Sequence, residues 1–435
     1  MNKSKDAIAK VLARRVWDSR GRPTIEVEVH LAGGASGRAI APAGASTGRG
    51  EAVDLRDGGP RFGGFDVTRA IAGVNDEIAR ILLGFNPHNQ SQIDGALTAL
   101  DGTPDRSRLG ANAIVATSMA VAHAAAASRG MPLWQSLRAA PGAQLPLPEI
   151  QIFGGGAHAQ RRVDIQDFMV IAIGATEYAQ ALEWTAEVYR AGGELLSEAG
   201  RLSGVADEGG YWPAFDSNEQ GLEMLLRAIE RAGFVPGDEM GIALDVAASQ
   251  FGRGGHYRLS RDGRELDSDG MCELLLNWLR RFPIVSIEDP LAEDDAASFA
   301  GFTAAVGGNV QVVGDDFLVT NAKRIDDAAR DGACNAALIK PNQAGTLSEA
   351  EAALTAARSA GWGAIVSARS GESEDTTIVH LAIGWGVPQL KVGSIARAER
   401  TAKWNEALRM AETIGGKLPP RGSFPWGSKP RSTPR

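Results

Sequence analysis

The sequence predicts an α/β protein in which a (β/α) barrel follows a smaller N-terminal domain. The first observation is a series of short apolar runs, each ending in a polar residue and followed by a helical pattern. The residues that end these runs are 24 to 43 positions apart, about one strand and one helix each: Asp245, Glu288, Asp315, Lys340, Ser367 and Lys391. The second observation is length, because 435 residues exceed the roughly 250 that one barrel needs. Three acids and two lysines should therefore meet at the C-terminal mouth of the barrel, where such barrels keep their chemistry.

The smaller domain should come first in the chain. Residues 11–31 have the pattern of a β-hairpin with turn chemistry at 18–23, and small apolar residues recur at helical spacing over 111–127. A proline-rich stretch then begins at Pro141. We expect an N-terminal domain over residues 1–141, a barrel with the catalytic mouth over 142–425 and a basic tail over 426–435.

The barrel should begin irregularly. Residues 145–153 and 163–173 both have strand patterns, yet only a glycine-rich stretch separates them. A parallel crossover needs a dozen residues or more, so the first two barrel strands are predicted to be antiparallel. A long helix should follow, and a capping box at Ser217 should open the next helix, which ends at Gly233.

Composition and charge exclude several classes of protein. The formal net charge is -8 and no basic tract occurs apart from the tail, so we expect neither nucleic acid nor an anionic membrane as a partner. The chain start has no apolar core and no run approaches about 18 apolar residues, which predicts a soluble cytoplasmic protein. Cys272 and Cys334 lack metal-ligand spacing and are expected to be reduced and buried.

Asp245, Glu288 and Asp315 are candidate metal ligands. Three carboxylates that converge in one mouth repel one another unless a cation is present, and hard oxygen ligands suit Mg²⁺. The alternative is that each acid is an ordinary helix cap or a solvated loop residue.

Lys340 and Lys391 each occupy the end of an otherwise apolar strand. Such a lysine either extends its ammonium group towards solvent or lies near other cations that lower its pKa and make it a base. The pattern alone leaves both alternatives open. Glu208 and His158 lie in predicted loops, where each alone would be taken for a solvated or structural residue.

Seven short motifs, spread over nearly the whole chain, resemble those of the enolases and occur in the enolase order. They are Val16–Thr24, Gly44–Gly48, Leu109–Ile114, Asp207–Gly210, Ile287–Pro290, Leu338–Gln343 and Ser370–Thr376. The resemblance implies an enolase-type (β/α)8 barrel with its first two strands antiparallel, preceded by an N-terminal α+β lid domain. It also implies a Mg²⁺-dependent hydro-lyase with two Mg²⁺ ions per active site, and a homodimer or higher homo-oligomer.

The resemblance assigns metal-binding and proton-transfer roles to individual residues. Asp245, Glu288 and Asp315 match the magnesium ligands of the enolases. Ser46 matches the mobile-loop serine that joins a second magnesium when the loop closes. Lys340 matches the base that removes the α-proton of the substrate, and Glu208 matches the acid that assists the departure of hydroxide.

The remaining site residues are assigned to the substrate. Lys391 matches the partner of the substrate carboxylate, and His158 matches the histidine of a closing loop, so both join the catalytic set. Arg369 and Ser370 match the phosphate binders. The set of expected substrate-binding residues is completed by Ser46, Gln166, Asp167 and Ala368.

Several positions depart from the enolase motifs. Enolases have histidine where this chain has Ala368 and glutamate where it has Asp167, and Arg161 and Arg162 add positive charge to a neighbouring loop. The lost imidazole would leave space for an extra acidic substituent on phosphorus. These departures favour a dehydratase acting on a 2-phosphoglycerate-like acid with a modified phosphorus group, similar to carboxyphosphonoenolpyruvate synthase of phosphonate biosynthesis. The alternatives are glycolytic enolase, which converts 2-phosphoglycerate to phosphoenolpyruvate, and a non-catalytic enolase-like binding protein.

Overall fold

The N-terminal domain packs helices against a three-stranded antiparallel sheet. The computed structural model describes residues 5–137 and 143–428. The strands of this domain are β1 (Ile8–Trp17), β2 (Pro23–Leu31) and β3 (Ser36–Ile40). Its helices are α1 (Thr68–Gly73), α2 (Ala79–Leu82), α3 (Gln90–Asp101), α4 (Ala111–Ser128) and α5 (Leu133–Leu137), with a π-helical stretch at Val74–Ile78 between α1 and α2. The predicted hairpin corresponds to β1 and β2, which pair antiparallel.

Helix α4 is the core helix of this domain. It is the one helix of the described residues that is long and apolar enough to cross a membrane, yet 83% of it is buried inside the protein. Helix α4 lies close against β3. A Cβ atom added to Gly37 of β3 would be only 2.1 Å from the backbone nitrogen of Ala124 in α4. Glycine at this position therefore allows the strand and the helix to approach each other.

The second domain is a closed eight-stranded barrel surrounded by helices. Its strands are β4 (Leu147–Gly154), β5 (Asp167–Ile171), β6 (Gly241–Asp245), β10 (Ile284–Glu288), β11 (Gln311–Gly314), β12 (Ala336–Ile339), β13 (Gly363–Ser367) and β14 (Gln389–Gly393). Its helices are α6 (Tyr178–Glu198), α7 (Asn218–Arg231), α8 (Ser268–Arg281), α9 (Ala296–Val306), α10 (Ala322–Asp331), α11 (Pro341–Ala344), α12 (Leu347–Ser359), α13 (Thr377–Gly384) and α14 (Ala398–Ile414). A small antiparallel sheet of β7 (Gly252–Arg253), β8 (His256–Leu259) and β9 (Arg264–Asp267) lies between β6 and α8 in the chain.

The predicted irregular start of the barrel is confirmed. Strand β5 runs antiparallel to both of its neighbours, β4 and β6, whereas the other barrel strands pair in parallel. The predicted cap of α7 is also present, since the Ser217 hydroxyl accepts a hydrogen bond from the backbone nitrogen of Gln220. Gly233 follows the helix with a φ of +87°, as a left-handed helix end requires.

The predictions for the domain boundary, the C-terminal tail and the two cysteines have different outcomes. The predicted boundary at Pro141 and residues 429–435 of the predicted tail lie outside the described residues. Cys334 is buried as predicted, and both cysteines are free. Cys272 is only partly buried, because α8 places it at the edge of the core beside the Ser298 carbonyl.

The N-terminal domain contacts the mouth of the barrel through backbone hydrogen bonds. The amide of Ala43 donates to the Gly371 carbonyl at 2.9 Å, and the amide of Gly371 donates back to the Ala43 carbonyl at 2.8 Å. The Ser19 amide donates to the Glu372 carbonyl at 2.7 Å. Residues 43–51 are thereby placed beside the ends of the barrel strands.

Candidate active site

The C-terminal ends of the barrel strands carry the predicted acids and lysines. Asp245 and Glu288 are the last residues of β6 and β10 and are partners in the parallel register of these strands. Asp315 and Lys340 directly follow β11 and β12, and Lys391 lies in β14. All five side chains are buried, so the barrel brings them together in one low-dielectric region.

Lys391 joins two of the acids. Its Nζ atom lies 3.0 Å from Oδ2 of Asp245 and 2.7 Å from Oε2 of Glu288. Burial alone would lower the pKa of Lys391, but these carboxylates hold that pKa well above its usual value. Asp245 and Glu288 therefore favour the charged form of Lys391.

Lys340 forms an ion pair with Asp315. Burial alone would lower the pKa of Lys340, whereas Asp315 raises it, and the net shift is upward. This differs from the depressed pKa that a base would need. The cause is the direct ion pair with Asp315, which outweighs the repulsion of Lys340 by Arg369 and Lys391.

Glu208, His158 and Asp167 form a second buried group. Nδ1 of His158 lies 3.3 Å from Oδ1 of Asp167, and its Nε2 lies 3.7 Å from Oε1 of Glu208. Burial raises the pKa of the Glu208 carboxyl group, so this group favours its protonated form. Although burial opposes it, His158 lowers the pKa of Asp167 to about 2. A carboxyl group with a raised pKa beside another with a lowered pKa is an arrangement suited to an acid catalyst.

Residues 44–48 of the N-terminal domain cover the barrel mouth. The Ser46 hydroxyl lies 3.5 Å from Oε1 of Gln166, whose amide nitrogen donates to Asp245 at 2.8 Å. The backbone carbonyl of Ser46 accepts a hydrogen bond from Nη2 of Arg369 at 2.9 Å. A Cβ atom on Gly44 would lie 2.1 Å from the same nitrogen, so this close approach requires glycine.

These groups enclose one small cavity of about 20 Å³. Its lining consists of Gly44, Ala45, Ser46, His158, Gln166, Glu208, Asp245, Lys340, Ser367, Ala368, Arg369, Ser370 and Lys391. Such a volume holds about one water molecule. Asp167, Glu288 and Asp315 do not line the cavity and lie behind it, each in contact with a lining residue.

The residues at the mouth fit a magnesium ion. The Oε1 atom of Glu288 is buried and has no hydrogen-bond partner among the described residues. Burial, followed by the nearby Asp245, raises the pKa of Glu288 well above its usual value. A buried carboxylate oxygen without a donor, beside two further carboxylates, is a suitable ligand set for a hard divalent cation. The predicted ligands Asp245, Glu288 and Asp315 would hold it.

Two compact groups of possible ligands occur among residues 5–137 and 143–428. The first group consists of His158, Asp167 and Glu208, and the second consists of Asp289, Asp315 and Asp316. Within each group, one ligand atom per residue lies within 4.8 Å of the others. Asp289 accepts hydrogen bonds from the backbone nitrogens of Asp315 and Asp316, at 2.9 and 2.7 Å. It therefore orients the segment that carries Asp315. The predicted trio is not one of these compact groups, since Lys391 bridges two of its members and Lys340 pairs with the third.

Arg161 and Arg162 do not reach the cavity, contrary to the sequence-based expectation. The Arg162 guanidinium stacks over the ring of Trp212, 4.7 Å from its centroid, and donates to the Trp212 carbonyl. Arg161 lines a separate open cleft beside the small sheet. Neither side chain lines the cavity that contains Arg369.

Arg400 is a site residue that the sequence pattern did not identify. Its fully buried guanidinium on α14 donates to the backbone carbonyls of Arg369, Ser370 and Val392 at 2.5 to 2.9 Å. It thus fixes the segments that carry the predicted phosphate binders and Lys391. The available signal was a basic residue at a core-facing position of α14, next to the buried Trp404.

Comparison with known proteins agrees with this geometry. Residues 8–137 match the family model "Enolase, N-terminal domain", and residues 142–423 match "Enolase, C-terminal TIM barrel domain". The chain belongs to the enolase family. It is 46% identical over 422 residues to "Enolase 1" of Desulfitobacterium hafniense (strain Y51), covering 96% of this chain and 97% of that protein.

Membership of the enolase family confirms four of the sequence-based predictions. The family, the fold, the assignment as a hydro-lyase and the Mg²⁺ cofactor are all as predicted. The alternative of a non-catalytic binding protein is therefore wrong. Enolases act on a phosphorylated hydroxy acid, whereas the phosphonylated substrate has no support among the similar proteins. The roles of individual site residues stay predictions.

Proposed function

We propose that this enolase-family chain dehydrates 2-phosphoglycerate to phosphoenolpyruvate. The observation that carries the proposal is that Lys340 and Glu208 line the same enclosed cavity. One is an amine at the end of a barrel strand and the other is a carboxyl group that favours its protonated form. Elimination of water needs a base for the α-proton and an acid for the leaving hydroxide. The near full-length similarity to "Enolase 1" supports the unmodified substrate.

In this proposal each residue acts on a defined part of the substrate. Lys340 would separate from Asp315 when that carboxylate holds Mg²⁺, and would then remove the proton from the carbon beside the carboxylate. Glu208 protonates the hydroxyl group that leaves the next carbon. His158 and Asp167 hold Glu208 in place, while Lys391 balances the charge of the substrate carboxylate. Arg369 and Ser370 bind the phosphate group. Bound Mg²⁺ supplies positive charge that stabilises the carboxylate as its negative charge grows.

The modified-substrate alternative loses the support of Arg161 and Arg162, which do not line the cavity. Two departures from the enolase motifs remain: Ala368 lines the cavity with Arg369 and Ser370, and Asp167 contacts His158. A 7% exposed alanine in a cavity of about 20 Å³ does not by itself provide an extra subsite. The homo-oligomeric state and the cytoplasmic location stay predictions.

Turnover of two substrates by the purified protein tests the proposal. With Mg²⁺ present we expect conversion of 2-phosphoglycerate with kcat/KM of about 10⁴ M⁻¹s⁻¹ or more, and no turnover of its phosphonoformyl analogue. Chelation should abolish the activity and added Mg²⁺ should restore it. Turnover of the analogue without turnover of 2-phosphoglycerate would overturn the proposal, and full activity of the chelated protein would overturn the metal assignment.

A further inference from the structure

Arg369 is paired with a carboxylate that comes from the other domain. Nη1 of Arg369 donates to Oε2 of Glu51 at 2.9 Å, and Nη2 donates to Oε1 at 3.3 Å. The two side chains are 4% and 6% exposed, and 318 residues separate them in the chain. This is a buried, bidentate pair between the loop that covers the mouth and the predicted phosphate binder. Such pairs fix orientation as well as charge.

The same two nitrogens of the Arg369 guanidinium also donate to acceptors other than Glu51. Nη1 also donates to Oδ1 of Asn342 at 3.3 Å, and Nη2 donates to the Ser46 carbonyl at 2.9 Å. Both terminal nitrogens therefore contact Glu51 and one further acceptor each. The guanidinium plane is fixed by these four contacts, and Glu51 supplies two of them.

Glu51 also fixes the loop to which it belongs. Its Oε1 atom accepts the backbone nitrogen of Gly48 at 2.8 Å and lies 3.3 Å from the amide nitrogen of Gln343. The same Gln343 nitrogen donates to Asp315 at 2.9 Å. One carboxylate thus connects the loop, the predicted phosphate binder and a neighbour of a predicted metal ligand.

We propose that Glu51 is a positioning residue: it orients the Arg369 guanidinium for the phosphate group of the substrate and couples phosphate binding to closure of residues 44–51. The inference rests on the proposed function, which makes Arg369 the phosphate binder. Glu51 does not line the catalytic cavity and acts through its contacts with Arg369, Gly48 and Gln343. Loss of its charge leaves the guanidinium with a weaker partner and leaves the loop with one fewer link to the barrel.

The substitution Glu51→Gln tests the proposal because it preserves shape, removes the charge and replaces one acceptor oxygen by an NH2 group. The amide oxygen can still accept from Gly48, while the NH2 group cannot accept from Arg369. In the Mg²⁺-loaded protein we expect KM for 2-phosphoglycerate to rise about tenfold, with kcat changed less than about threefold. The dissociation constant of inorganic phosphate, measured by titration calorimetry, should rise by a similar factor.

A matched control is Glu293→Gln. Glu293 accepts the backbone nitrogen of Arg49 at 2.8 Å and pairs with the Arg49 side chain, so it also links the loop to the barrel. It has no contact with Arg369. We expect the phosphate affinity of the Glu293→Gln variant to equal that of the parent protein. In the double variant with Arg369→Met, Glu51→Gln should cause no further loss of phosphate affinity, because the two changes act on one interaction.

The direction of the change distinguishes the proposal from its alternatives. If Glu51 were only a negative charge that competes with phosphate, Glu51→Gln would tighten phosphate binding, and that result would overturn the proposal. An unchanged phosphate affinity would also overturn it, since Glu51 would then only support the loop. If Glu51→Gln does not fold, Glu51→Asp, which is too short to reach both nitrogens of Arg369, should weaken phosphate binding in the same way.

The calorimetric measurement separates this inference from the proposed function. Phosphate binding requires no turnover, so weaker binding by Glu51→Gln together with an inactive parent would contradict only the proposed function. An active parent whose phosphate affinity is insensitive to Glu51→Gln would contradict only the role of Glu51. If neither the parent nor the variant binds inorganic phosphate, the role of Glu51 is wrong as well.

Discussion

At the scale of single residues, the mouth of the barrel is a set of buried charges that neutralise one another. Lys391 contacts Asp245 and Glu288, Lys340 contacts Asp315, and all five side chains are buried. Removal of one partner would leave a charge buried without compensation, which is strongly unfavourable. A substitution at any of these positions therefore changes the state of its neighbours as well as its own role.

The effect of an imidazole at position 368 can be predicted from the surroundings of Ala368. Its backbone nitrogen donates to the Lys391 carbonyl at 2.9 Å, and its side chain lines the cavity beside Arg369. We expect Ala368→His to leave kcat/KM for 2-phosphoglycerate unchanged or to improve it, because a partly protonated imidazole attracts an anion. Any use of the phosphonoformyl analogue should weaken, since the ring fills space. Steady-state kinetics with both substrates measures this, and a large loss of 2-phosphoglycerate turnover would contradict it.

The sequence predicted some site residues from pattern and others only from resemblance. Asp245, Glu288, Asp315, Lys340 and Lys391 end apolar runs at regular spacing, so strand geometry alone places them at one mouth. The roles of the loop residues Ser46, His158 and Glu208 came from the resemblance to enolases. The contact between Glu51 and Arg369 could not be predicted, because no local pattern reports a contact across 318 residues.

At the scale of elements, loop length was the most informative signal for the barrel start. The separation between the first two barrel strands was too short for a crossover, and β4 and β5 are indeed antiparallel. The small sheet of β7, β8 and β9 was not predicted. Its strands have only two to four residues, which is too short for a periodic pattern to be recognised.

The contact between α4 and α13 predicts a pH dependence of stability. His123 and His380 pack edge to face with their ring centroids 5.8 Å apart. Burial lowers the pKa of His123, and burial together with His123 lowers the pKa of His380 to about 3. Nδ1 of His380 accepts the backbone nitrogen of Trp134 at 3.3 Å, which requires an unprotonated nitrogen. In the unfolded chain both rings take up a proton near pH 6.5.

The stability contributed by neutral histidines is therefore complete above about pH 6.5 and is lost as the pH falls towards 3. For His380 the loss between pH 7 and pH 5 should be about 2 kcal/mol of unfolding free energy. Urea unfolding at pH 7 and pH 5 measures it. His380→Gln should reduce the difference between the two pH values by about this amount. An equal difference in the parent and the variant would show that His380 does not titrate on unfolding.

At the scale of the whole molecule, the site is built from both domains. The N-terminal domain contributes Ser46 and Glu51, and the barrel contributes the acids, the lysines and Arg369. Backbone pairing between Ala43 and Gly371 holds the covering loop against the mouth. Opening of the cavity for the substrate therefore involves the contact between the domains, and neither domain contains a complete site.

Solvent exchange of the α-hydrogen of 2-phosphoglycerate tests the roles of Lys340 and Glu208, because it separates removal of the proton from loss of hydroxide. The comparison is between Lys340→Ala, Glu208→Gln and, as a control, Lys323→Ala, which changes an exposed lysine that does not line the cavity. Nuclear magnetic resonance in deuterated water follows exchange and product formation in the same sample.

Lys340→Ala should abolish exchange and product formation together. Glu208→Gln should reduce product formation by about 10²-fold or more while exchange remains measurable, because the base and the acid act on opposite ends of the eliminated water. Lys323→Ala should behave like the parent. Equal loss of exchange in the Lys340 and Glu208 variants, or exchange that persists without Lys340, would contradict the assignment of base and acid in this site.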